Sequence, residues 1–149
     1  MINVINSVQE LPLVLTSNTD NISFATDVLR TRCANCCGFL NHTMGSALYQ
    51  ITKPGIYEIS YNANITSTTA GVVGLAIRLN GEELDGSEAD TEITTVGNYE
   101  NVSASRLIRV CGNGSATITV GSVPTIDGTA TQIPTVKNVS LIITRKSGN

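Results

Sequence analysis

Four cysteines and a single histidine carry most of the chemistry this 149-residue sequence offers. Cys33-x-x-Cys36-Cys37, with His42 close behind and Cys111 far along the chain, supplies the donor types of a tetrahedral zinc site. A structural zinc motif usually brings two such pairs, and here the second half would be one Cys or the lone His. Two other readings stand beside the metal. Cys111 falls at a strand end where a loop cysteine could reach it as a disulfide, or all four thiols simply fill space as small hydrophobes. The last is the common fate of such residues, so neither metal nor cofactor is expected.

A nucleophilic apparatus would have to use His42 with Cys36, Cys37 or a loop Asp. No Gly-x-Ser-x-Gly elbow occurs, and the expectation is a chain that is not an enzyme. The acidic run Glu82, Glu83, Asp85, Glu88, Asp90 lacks the alternating oxygen ligands and turn glycine of a calcium loop and reads as solvated surface. Tyr49, Tyr57, Tyr61 and Tyr99 could stack on sugars. Their apolar bodies and polar tips suit a sandwich core or a subunit interface better.

The elements that position these residues read as strands. Thr, Ser, Asn, Val, Ile and Gly dominate, only 14% of residues are charged, and 4% are aromatic with no Trp. Pro54-Gly55 opens a long alternating stretch from Ile56 to Ile65, and a second strand runs from Val72 to Leu79 and stops at Asn80-Gly81, a strong hairpin signal. These two, joined by a Ser/Thr/Gly link, are expected to form the central unit. Ile22–Arg32 reads as a strand bulged near Asp27, with a two-turn helix as the alternative, and residues 33–45 as a loop around one short strand. Ser46–Thr52 is expected to precede the central pair, and Glu92–Val96 to follow the acidic loop. Val102–Val110 and Ala116–Val120 read as a hairpin around Gly112-Asn113-Gly114. Residues 121–134 read as a surface loop, and Lys137–Arg145 as a closing strand buried on both faces.

The length suits one domain, with residues 1–10 an arm or attachment segment and 11–149 the domain. Eight to ten short strands at about 8–12-residue spacing indicate an all-β sandwich or barrel. The net charge of −3 and the scattered basic residues exclude the clustered basic face of a nucleic-acid binder. No stretch reaches the roughly 20 apolar residues of a membrane span, and residues 1–16 carry no secretory pattern, so synthesis in a cytoplasm is expected. Asn-x-Ser/Thr sequons, as at Asn64 and Asn101, arise readily in such a composition.

Gly55-Ile-Tyr57-Glu-Ile-Ser, Leu75-Ala-Ile-Arg-Leu-Asn80-Gly81, Leu107-Ile-Arg-Val, Thr117-Ile-Thr-Val and Val139-Ser-Leu-Ile-Ile143 follow one another in an order that resembles a known superfamily. It is that of the tumour necrosis factor (TNF)-like and complement globular-head jelly rolls, in particular bacterial and phage members on virion fibres and spore filaments. The resemblance implies a two-sheet jelly-roll sandwich of about ten strands and a homotrimer packed along a threefold axis. Tyr57, Tyr61, Leu141 and Ile143 are then expected at the trimer interface or in the core. The function implied is a structural module on a bacteriophage virion surface (head fibre, decoration or fibre tip), made in the host cytoplasm and joined to other virion proteins through its N-terminal arm. A carbohydrate-binding or adhesin module on a bacterial or spore surface, engaging a surface glycan, is the alternative. The absence of a collagen-like stalk favours the virion version.

Overall fold

The computed structural model describes residues 3–31 and 38–147, and among these there are strands and turns but no helix. In chain order the strands are β1 (Asn3–Gln9), β2 (Leu13–Val14), β3 (Thr26–Arg30), β4 (Leu40–His42), β5 (Tyr49–Ile51), β6 (Gly55–Ser67) and β7 (Gly71–Leu79). They continue with β8 (Glu82–Glu83), β9 (Ala89–Ile93), β10 (Glu100–Val110), β11 (Ala116–Ser122), β12 (Thr125–Ile126), β13 (Thr129–Ala130) and β14 (Pro134–Ser147). Two antiparallel sheets face each other. One, the β6 sheet, has the order β10-β6-β14-β1-β3, with β2 also on β14. The other, the β7 sheet, runs β4-β5-β11-β7, and both β8 and β9 pair with β7.

Alternation along β6 explains the layering. Tyr57, Ile59, Tyr61, Ala63 and Ile65 point inward and are buried, while Ile56, Glu58, Ser60, Asn62 and Asn64 point away from the core. From the opposite sheet Tyr49, Ile51, Val73, Leu75, Ile77, Ile118 and Val120 meet them in one continuous apolar cluster. The Asn80-Gly81 turn closes β7 onto β8 with both residues at positive φ, 53° and 85°, as the twist of a two-residue hairpin requires. The bulge expected near Asp27 is present. Register shifts between Asn6 and Ser7, whose partners are Leu29 and Asp27, so Val28 is the extra residue.

Several expectations are corrected. Residues 3–9 of the expected arm form β1, hydrogen-bonded between β14 and β3. The two stretches of the expected central pair, β6 and β7, lie in different sheets, so the link at residues 68–70 crosses the sandwich instead of closing a hairpin. The same is true of β10 and β11, because a tight turn reverses the chain without deciding which neighbour its strands pair with. The strand expected over 92–96 lies at 89–93. The expected surface loop 121–134 holds the β12–β13 hairpin, turned by Asp127-Gly128, and buries Val123 and Ile126. Finally the 137–145 stretch of β14, central in its sheet, is buried on one face only. Val139, Leu141 and Ile143 are inside, whereas Ile142 is 38% exposed.

Candidate functional site

Tyr57, Tyr61, Leu141 and Ile143 are all buried within the core of the single chain. Tyr61 passes between the sheets, and its hydroxyl donates toward the Leu75 and Ser87 carbonyls, 2.9 and 2.8 Å away. Burial pushes its phenol pKa upward. Tyr57 donates to the Lys53 carbonyl at 2.7 Å, and Arg145 donates to the Pro54 carbonyl beside it, so this end of the sandwich is pinned to the turn that opens β6. What these strands present outward is the other parity, Glu58, Ser60, Ile142 and Thr144.

His42 projects from β4 into the sandwich and its side chain is fully buried. Its ring stacks on Tyr49 at 3.9 Å between centroids, nearly parallel. Both nitrogens are engaged. Nδ1 lies 2.8 Å from Asp27 Oδ1, and Nε2 lies 2.9 Å from the Ser46 carbonyl. Asp27 accepts a further bond from the Ser7 hydroxyl, and Arg30 donates to the carbonyls of Leu40 and His42. The result is a polar clasp joining β1 and β3 of one sheet to β4 of the other. With both nitrogens occupied, the ring has no lone pair turned toward a nucleophile or a metal.

Reading the sequence singles out His42 but misses Asp27 and Ser7. The available signal is parity: Ser7 shares the inward side of β1 with buried Ile5. Cys33, Cys36 and Cys37 lie outside the described residues; Cys111 is exposed just beyond β10. Among the described residues no three His, Cys, Asp or Glu side chains converge on a metal position. Tyr49 is buried, and Tyr99 lies under the Lys137 ammonium, 4.0 Å from the ring centroid.

Two surfaces remain, the outward faces of the sheets. Across the middle of the β6 sheet runs a row in register, Ser105–Ser60–Ile142–Asn6–Leu29. The next row is Leu107–Glu58–Thr144–Val4, and Glu58, paired with Lys146 at 2.9 Å, is the one charge in the two rows. The β7 sheet is different: Glu83, Arg78 and Thr119 form a cross-strand row that carries both signs of charge.

This two-sheet arrangement is a jelly-roll sandwich of the TNF-like and complement globular-head type. No family model matches the chain, and no curated protein matches it by sequence. Solved structures do match in fold. The globular domain of zebrafish complement 1qA aligns with a TM-score of 0.66 at 9% identity, over 99% of both chains. Murine APRIL at pH 5.0 aligns with a TM-score of 0.65 at 13% identity, over 97% of this chain and 99% of that one. The Eiger TNF of S. frugiperda gives 0.62 at 6% identity, over 99% and 94%.

Proposed function

We propose that the chain is a non-enzymatic structural module that assembles as a homotrimer on the surface of a bacteriophage virion, as a head fibre, decoration or fibre-tip protein. The observation that carries the assembly is the outward face of the β6 sheet. Apolar Ile142, Leu107 and Leu29 stand among small neutral Ser, Asn and Thr, and depletion of charge with exposed aliphatic side chains is the composition of an interface centre. The jelly-roll fold supports the same stoichiometry by analogy, and the order of motifs resembling phage members supports the virion. An adhesin that stacks sugars on an aromatic platform is less well supported. Of the six Tyr and Phe residues, all but Tyr99 are buried.

Light scattering on the purified chain tests the assembly, with a trimer mass expected at micromolar concentration; a monomer mass overturns it. Ile142→Asp sharpens the test. Because Ile142 faces outward, the substitution should leave the circular dichroism of the sandwich intact and dissociate the trimer by burying an unpaired charge. A trimeric Ile142→Asp protein would show that this face is not the interface. The virion assignment predicts the chain among the proteins of purified particles by mass spectrometry.

A further inference from the structure

The row Glu83–Arg78–Thr119 floors a groove of about 470 Å³ on the outward face of the β7 sheet. Leu48, one residue before Tyr49, which pairs beside Ile118, extends the row and is half exposed. Thr19, Asn21 and Pro124 contribute one group of lining residues, Gly81 and Thr117 another. Its volume falls in the range of about 300–1,000 Å³ typical of small-ligand sites.

Arg78 is unusual for an outward-facing arginine because it is almost entirely buried. Nη1 donates to Asn21 Oδ1 at 2.8 Å and Nη2 donates to the Ser122 carbonyl, so the guanidinium ties the 17–21 turn and the end of β11 together. Gly121 makes room for this: a Cβ there would collide with Arg78 Nη1, Asn21 Oδ1 and the Asp20 carbonyl. The guanidinium is therefore fixed before any ligand arrives, which removes an ordering cost from binding. Two of its five N–H groups are taken by Asn21 and Ser122. Glu83 Oε1 stands 3.7 Å from Nη2, too far for a hydrogen bond, and keeps its acceptors.

We propose that this groove binds an uncharged polyhydroxylated ligand, a sugar. A fixed donor and a loosely ion-paired carboxylate side by side match two neighbouring hydroxyls, one accepting from Arg78 and the other donating to Glu83. An anion would meet Glu83 and a cation would meet Arg78, so the neutral ligand is selected. The hydroxyls of Thr117 and Thr119 serve either sense of hydrogen bond, and Leu48 and Pro124 offer apolar surface to a ring's C–H face. The site is distinct from an aromatic platform and lies on the sheet opposite the proposed assembly face. A trimer would carry three open copies, and weak sites so linked gain by avidity.

Saturation-transfer NMR tests the groove with methyl glycosides of glucose and galactose and with N-acetylglucosamine, each at millimolar concentration. Sialic acid and inorganic phosphate are the charged comparators. Transfer to at least one neutral sugar is expected. Glu83→Gln and the near-isosteric Thr119→Val should each weaken it about fivefold or more in proteins of unchanged circular dichroism, as loss of one hydrogen bond implies. Ile142→Asp should leave binding per chain unchanged, which separates this site from the assembly. The proposal is overturned by absence of transfer from all three neutral sugars, by stronger binding of a charged comparator, or by binding that survives both groove substitutions.

Discussion

Tyr61 shows how single side chains hold the two layers together. It reaches from β6 to the Leu75 carbonyl on β7 and the Ser87 carbonyl, and so ties one sheet to the other. Tyr61→Phe keeps the ring and deletes the hydroxyl, which should cost about 1–2 kcal/mol and lower the melting temperature by about 3–6 °C. A calorimetric melt unchanged to within a degree would show that the hydroxyl contributes nothing net. Glu88 acts in the opposite direction. Partial burial, then Asp90, Glu83 and Asp127, raise its carboxyl above the ordinary value. A raised acid binds its proton more tightly in the fold, so its contribution is present in acid and lost as pH rises through the folded value. Glu88→Gln should therefore give a small rise in melting temperature near neutral pH that disappears below the carboxylate range. A rise that persists in acid would exclude this cause. At this scale the sequence identified the tyrosines as core candidates from their chemistry, yet it did not contain the partners, because Leu75 and Ser87 contribute backbone oxygens that any residue has.

At the scale of elements, strand existence was far more legible than pairing. Alternation located β6 and β10, the Asn80-Gly81 turn marked the end of β7, an unbroken apolar run marked β14, and the bulge was expected near Asp27, one residue from its place at Val28, since each is a local property of the strand. Pairing depends on what the chain meets elsewhere. The turns after β6 and β10 have hairpin chemistry yet deliver the next strand to the other sheet, while Asn80-Gly81 does close β7 onto β8. The outward groove was equally hidden, because Glu83, Arg78 and Thr119 become neighbours only through the register of β8, β7 and β11. β1 was missed because its period is broken by inward Ser7, a polar residue explained by Asp27 in a strand read as separate. Its position gives a prediction. Removing residues 1–9 should abolish folding, since it deletes buried Ile5 and leaves β14 and β3 without their shared neighbour. A truncated chain with native near-ultraviolet dichroism and a cooperative melt would restore the view of this segment as an arm.

For the whole molecule, the pairing of the first strand with the last governs how the fold is reached. Asn3 lies opposite Arg145, and β14 in turn pairs with β6, so the centre of the β6 sheet joins the two ends and the middle of the chain. Such non-local pairing requires large loops to close before the contacts that stabilise them form, which places refolding in the range of milliseconds to seconds. The proposed assembly face is made of the same β10, β6, β14, β1 and β3, so it does not exist until that sheet has closed. Refolding from denaturant should therefore show a first phase, independent of protein concentration, in which Tyr61 is buried. A second phase should accelerate with concentration as chains associate. Ile142→Asp should retain the first phase and lose the second. Stopped-flow fluorescence with parallel light scattering distinguishes the steps: association that precedes or accompanies tyrosine burial, so that the first phase itself depends on concentration, would mean that the sheet is completed by its partners and that the single chain does not fold alone.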